Sequence, residues 1–188
     1  MNIDRILIHR ILIHTLNRVI IFAVIIYVFV AVIHVFQSAR VKGESVGCMD
    51  NLRRLGRAFN TYDQDWDEHL PPAYRWTDCI DSDRFIRHKY KSSIFHCPAA
   101  SGSYGYAMNV GVSSASVNSL DYINWHVLLY ETDNRSRNAY GTLSDLAQVR
   151  HGNLNCLFCD GTVRWVNQYT TTRWIWNVST AVGGRQLF

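Results

Sequence analysis

Val19-Ile20-Ile21-Phe22-Ala23-Val24-Ile25-Ile26-Tyr27-Val28-Phe29-Val30-Ala31-Val32-Ile33-His34-Val35-Phe36 runs for eighteen residues in which only Tyr27 and His34 offer polar side-chain atoms. As an α-helix it rises about 27 Å, close to the roughly 30 Å hydrocarbon thickness of a bilayer, and lipid leaves its backbone no other way to satisfy every N–H and C=O. The reading is one transmembrane helix. A cleaved secretory signal also begins with basic residues, as Arg5, Arg10 and Arg18 do here, but its apolar stretch is only about 7–15 residues long and ends in small residues. Phe36-Gln37-Ser38-Ala39-Arg40 is a poor cut site. An apolar helix buried in a small soluble domain would keep a polar face, which this one lacks.

Outward from the span the composition changes. The chain has 188 residues, 48% hydrophobic and 18% charged, enough for one domain with a core and an appendage. Before the span, residues 1–18 repeat Ile-Leu-Ile-His (Ile6 to His9, Ile11 to His14) among Arg5, Arg10 and Arg18, a basic amphipathic tail suited to an anionic membrane surface. Arg40 and Lys42 follow the span, so positive-inside counting barely decides its orientation. Three of the 19 Lys+Arg and one of the 15 Asp+Glu precede residue 37, which leaves the larger part at only +2. No basic footprint for nucleic acid is present, and no nucleic-acid partner is expected.

After Gly43 and Gly47, Met49, Leu52, Leu55, Phe59 and Tyr62 recur at spacings of 3, 3, 4 and 3, one face of a helix. That helix must stop before Leu70-Pro71-Pro72. It thus runs from the membrane to about Asp65, and the segments divide as tail 1–18, span 19–36, outer half of the spine 37–70 and sheet domain 71–188. Residues 73–120 read as loop with one short helix and one strand. Trp125 to Tyr130, Leu154 to Cys159 and Thr162 to Asn167 read as strands, and Asp160-Gly161 between the last two is a hairpin signal for a type I′ turn. A helical spine followed by a small antiparallel sheet is an α+β plan.

Several constellations invite chemistry. Cys156 and Cys159 form a C-x-x-C, but three residues apart on a strand they face opposite ways at about 10 Å, too far for one metal or one disulfide. Of the five cysteines at least one must stay unpaired; a disulfide from Cys48 to Cys97 would tie the spine helix to the first loop, with Cys79 as the competing partner. His151, Asp160 and Cys156 could be drawn as base, orienter and nucleophile, yet no nucleophile elbow or oxyanion-hole motif accompanies them, and Asp160 is explained as a turn residue with Arg150 and His151 bonding the hairpin. Asp63, Asp65, Asp67 and Glu68 lack the glycine and final glutamate of an EF-hand and read as a solvated helix end. No enzyme activity, metal or cofactor is expected from these residues.

His14-Thr15-Leu16-Asn17-Arg18 before the apolar run, Cys48-Met49-Asp50-Asn51-Leu52-Arg53-Arg54-Leu55-Gly56, Asp65 to Pro71, Phe95-His96-Cys97-Pro98, Tyr104 to Asn109 and Arg150-His151-Gly152 through Asp160-Gly161-Thr162-Val163 occur in an order that resembles the prepilin-like proteins of planctomycete-type bacteria, which carry a general secretion pathway G-like (major pseudopilin-like) N-terminus. The resemblance covers roughly residues 14–167, with Asn51, Leu52, Pro71, Cys97, Pro98, His151, Asp160 and Gly161 as signature positions. It implies a pilin-like α+β fold and a structural subunit of a type II secretion or type IV pilus-like assembly. It also implies an inner-membrane anchor with a cytoplasmic N-terminus and an exported sheet domain. Partners would be membrane lipid and other pilin-like subunits through the N-terminal helix. Related major pseudopilins hold calcium in a C-terminal loop, which makes Glu131, Asp133 and Asn134 a calcium candidate by resemblance. Two departures stand out. Ile13 and His14 occupy the places of the Gly and Phe at which prepilin peptidase cuts, and Arg18 replaces the glutamate that sets register between subunits, so an unprocessed or minor component is expected. Eight residues, rather than the usual nine, separate His151 from Asp160. The alternative is an anchored surface module whose Trp125, Trp165, Trp174 and Trp176 recognise a glycan, peptide or DNA.

Overall fold

The computed structural model describes residues 3–82, 84–86, 93–102, 104–147, 150 and 153–166. The first element, α1, is one helix of 63 residues, Ile3–Asp65. Residues 1–40 and 41–188 form two compact units. In the first, the apolar side chains from Val19 to Phe36 are exposed, and this is the one helix among the described residues long and apolar enough to cross a membrane. No break in α1 separates the basic tail from the span.

The second unit is α+β. Within it α1 buries Ser45, Cys48, Leu52, Leu55, Ala58, Phe59 and Tyr62, while Met49, expected on the same face, is only half-buried. The stripe is thus the expected one from Leu52 to Tyr62, and only at its N-terminal end does Cys48 take the buried place expected for Met49. The helix ends where Asp67 and Glu68 both take positive φ and the Glu68 amide donates to Asp63 O at 2.7 Å, before Pro71 and Pro72 forbid its continuation. A short helix, α2 (Trp76–Ile80), then inserts Trp76, whose indole donates to Ala139 O at 2.8 Å and whose ring packs against Phe59 and Phe95.

Five strands follow: β1 (Tyr106–Asn109), β2 (Val127–Glu131), β3 (Tyr140–Gly141), β4 (Leu154–Phe158) and β5 (Val163–Val166). They form one sheet in the order β3-β1-β2-β4-β5. The sheet is mixed, not purely antiparallel as expected: residues 132–139 carry the chain past β1, so β3 pairs parallel to β1 with Met108 opposite Tyr140. The remaining pairs are antiparallel.

Alternation assigns the faces. Leu157 and Cys159 join the core that contains the α1 stripe, whereas Leu154, Cys156 and Phe158 join a second cluster with Ala139, Ala147 and Val166. Cys156 and Cys159 thus lie on opposite faces, which rules them out as a pair. A bulge between Val127 and Leu129 places Leu128 and Leu129 both in the helix-side core and Tyr130 on the other side. The β4–β5 hairpin is where Asp160-Gly161 signals it, with a different turn. Only Gly161 has positive φ (79°), its amide donates to Phe158 O at 2.9 Å, and the Phe158 amide donates to Thr162 O. That is a type I turn followed by a left-handed glycine, not type I′.

Candidate functional site

Charge is sparse inside this domain, and one buried carboxylate stands out. On β2, Leu129 faces the helix-side core, Tyr130 faces away, and Glu131, two residues on from Leu129, turns back toward α1. Cys48 sits one helical turn before Leu52 on the buried stripe of α1. Cys97 comes from the turn after Ile94-Phe95-His96, which Asn51 pins to the helix by donating from Nδ2 to His96 O at 2.8 Å and to Ser93 O at 3.3 Å. The segment of Gly105 closes over Cys97: its amide donates to Phe95 O, and a Cβ built on Gly105 would stand 2.9 Å from both Cys97 Cβ and Cys97 N.

The three side chains meet. The Cys48 thiol donates to Glu131 Oε1, and Cys97 Sγ lies 3.8 Å from the same oxygen. Asn155 on β4 donates its backbone N–H to Oε2 and its Nδ2 to Oε1, both at 3.2 Å. The Tyr106 hydroxyl donates to Cys48 Sγ at 3.2 Å. Cys48, Cys97, Glu131 and Asn155 are fully buried and Tyr106 is 1% exposed. Burial, reinforced by the neighbouring Cys97 thiol and the Glu131 carboxylate, pushes the Cys48 thiol well above the usual range, and burial pushes the Tyr106 hydroxyl up likewise. A thiol held protonated and sealed from solvent is a hydrogen-bond donor, not a nucleophile. The donor atoms of Cys48, Cys97 and Glu131 all lie within 4.8 Å of one another, a spacing compatible with a shared metal ion.

The residues singled out by sequence sort as follows. Cys48 and Cys97 are brought together as two thiols with no disulfide between them, whereas Cys79 sits half-buried on α2 beside the Tyr62 hydroxyl. The calcium candidate is not assembled. Glu131 points inward to the thiols, Asp133 points outward to Arg150 at 2.6 Å, and the Asn134 side chain accepts from the Ser136 amide, because β2 ends at Glu131 and strand alternation no longer holds Asp133 on its face. Arg150 does not bond the hairpin as expected; its guanidinium donates to Thr132 O beyond the end of β2. Asp160 is the turn residue, accepting from Thr162 N–H at 2.9 Å, from its hydroxyl at 2.6 Å and from Arg164 at 3.1 Å. Pro71 O accepts from the Ser114 amide at 3.3 Å. Trp165 is exposed and Trp125 partly so; His151, Trp174 and Trp176 lie outside the described residues.

Sequence reasoning missed Tyr106 and Asn155 and gave Glu131 the wrong partners. The available signal was polarity out of place: Glu131 closes the apolar run Val127-Leu128-Leu129-Tyr130, and Asn155 stands between Leu154 and Cys156. Buried polar groups in such runs must find partners. No protein-family model, no curated protein and no solved structure matches the chain.

Proposed function

We propose that this chain is a membrane-anchored, pilin-like structural subunit that associates with like subunits through the apolar part of α1. The observation that carries the reading is the division of labour along one helix: Val19 to Phe36 leave every apolar side chain uncovered, while Cys48 to Tyr62 supply the core of an α+β domain. A bare apolar segment of that length needs lipid or other helices as its solvent. Its surface is rich in β-branched Val and Ile with Ala23 and Ala31, which favours close van der Waals packing between helices in a bilayer. Arg18 at the head of the span places a positive charge where filament subunits of the resembling family use a glutamate, so the proposed role is a minor or permanently anchored component rather than the repeating unit of a filament.

The test is thiol cross-linking in membranes of cells expressing the full chain with Ile25→Cys in the span, a position outside the domain core. Carbonate-resistant membrane association together with dimeric and higher cross-linked species supports the reading. Release by carbonate, or a chain that stays monomeric with the cysteine moved through Val24, Ile25, Ile26 and Val28, overturns it. Intact mass of the same extract reports whether residues 1–13 are removed, as peptidase processing would require.

A further inference from the structure

We propose that Cys48, Cys97 and Glu131 form a structural zinc site that ties α1, the 93–98 turn and β2 together.

The donor set decides the ion. Two thiolates and a carboxylate suit zinc, whereas calcium and magnesium take oxygen alone. At Zn–S of about 2.3 Å and Zn–O of about 2.0 Å, tetrahedral donors stand roughly 3.5–3.8 Å apart. The S···O pairs take the lower end of that range, about 3.5 Å; the Cys97 Sγ to Glu131 Oε1 separation of 3.8 Å would close slightly around the ion, and all three donors lie within 4.8 Å of one another. The Cys48 Sγ to Oε1 contact is shorter and would open as the thiol proton is replaced by the ion. Tyr106 Oη, 3.2 Å from Cys48 Sγ, supplies the fourth donor that a closed tetrahedral site needs.

The surroundings fit a held carboxylate and a buried cation. Asn155 grips Glu131 through both its main-chain and its side-chain N–H groups, the outer-layer support that ligating carboxylates usually have. Zn²⁺ with two thiolates and one carboxylate carries a net charge of −1. Arg150, which faces Cys97 and is shared with Asp133 at 2.6 Å, offsets part of that charge. On binding, each thiol loses one proton to solvent and nothing is oxidised. The three ligands are fully buried, so the ion enters as the domain folds and no position is left open for a substrate. A disulfide would use the two sulfurs alone and leave Glu131 facing a group that donates no hydrogen bond; a cation uses all three.

The experiment does not depend on the assembly reading, since cross-linking and metal content are read separately. The full chain is extracted from membranes in detergent with free thiols trapped by alkylation, and zinc per chain is measured by elemental mass spectrometry beside intact mass. A parallel sample is refolded with Co²⁺ for absorption spectroscopy. One zinc per chain is expected, with thiolate-to-cobalt charge transfer in the cobalt form, Cys48 and Cys97 protected from alkylation, and zinc content reduced at least about tenfold in Cys48→Ser and Glu131→Gln but unchanged in Cys79→Ser. A Cys48–Cys97 disulfide in the trapped chain, or an unmodified chain with neither zinc nor a charge-transfer band, overturns the proposal even if the variants fail to fold. Undiminished zinc in folded Glu131→Gln overturns it as well.

Discussion

Replacing Gly105 by alanine should destabilise the domain, while the same replacement at Gly43 should stabilise it. Gly105 has no positive φ to explain it; what excludes a side chain is space, since the new Cβ would stand 2.9 Å from both the Cβ and the backbone nitrogen of Cys97. Backbone cannot swing aside as a flexible side chain can, and the Gly105 segment is held on both sides, by its amide to Phe95 O at 3.0 Å and by the Thr132 amide to Gly105 O at 3.1 Å. Over-packing of this kind costs about 1–3 kcal/mol. For a unit of the size of residues 41–188, each kcal/mol moves Tm by roughly 2–4 °C, so a cost of about 2 kcal/mol lowers it by roughly 4–8 °C. Gly43 lies inside α1 with nothing within 4 Å of its would-be Cβ, and alanine there should gain about 0.8–1 kcal/mol of helix propensity, or roughly 2–4 °C. Intrinsic tryptophan fluorescence of the detergent-solubilised full chain on a thermal ramp reads both. A Gly105→Ala chain melting at or above the parent temperature would refute the claim that Cys97 is packed against bare glycine backbone.

Leu55, fully buried between α1 and the sheet, should cost about 2–5 kcal/mol on replacement by alanine, seen as a lower urea midpoint with an unchanged slope; a loss under about 1 kcal/mol would mean that the stripe does not face a packed core. His126 is buried, with Nε2 bonded to Asp121 O at 2.9 Å, and burial lowers its pKa below 6.5. Its neutral form is therefore favoured by folding, so its contribution is complete above pH 6.5 and is lost as pH falls through the lower folded value. Urea midpoints should drop between pH 7.5 and 5.5, and His126→Gln should flatten that drop; an equally steep variant would exclude His126 as its source. Arg137 bridges Asp78 at 2.5 Å and Asp81 at 3.1 Å, and its bond holds the Asp78 carboxyl below the usual range, but all of these groups are partly exposed. Arg137→Ala should cost less than about 1 kcal/mol and less still in high salt; a loss above about 2 kcal/mol would contradict the solvent screening assumed.

Where hydrophobic side chains carry the pattern, the fold was legible before any coordinates. Leu52, Leu55, Phe59 and Tyr62 marked the buried face of α1, and Leu70-Pro71-Pro72 marked its end. Ser45 and Cys48, which extend that face at its N-terminal end, do not show in the periodicity because small, weakly hydrophobic residues hardly register in it. The β4–β5 hairpin announced itself through Asp160-Gly161, but the choice between turn types depends on the φ of Asp160, which composition does not reveal. β3 was invisible, since two residues paired in parallel across β1 leave neither alternation nor length. The candidate site was half legible. Cys48 and Cys97 suggest each other as ends of a covalent tie, but the member between them, Glu131, is 83 residues from Cys48 in sequence, and its neighbours Asp133 and Asn134 draw it toward the loop that follows. Long-range convergence onto one carboxylate is a property of the folded chain, and only the misplaced polarity of Glu131 and Asn155 hinted at it.

The span in sequence between Cys48 and Asn155 sets a timetable for biogenesis. The stripe of α1 that includes Cys48 is made early, yet the strand whose Asn155 grips the carboxylate beside it is 107 residues further along the chain (155 minus 48). At about 5–20 residues per second of synthesis, the apolar stripe waits roughly 5–20 s before its covering sheet exists. During that interval Leu52, Leu55 and Phe59 form a sticky helical surface, a state that invites capture by a chaperone or by the wrong neighbour. Quality control of this protein therefore falls on the late-arriving β4–β5 hairpin, and truncations that remove it should be cleared by proteolysis rather than accumulate as shortened chains.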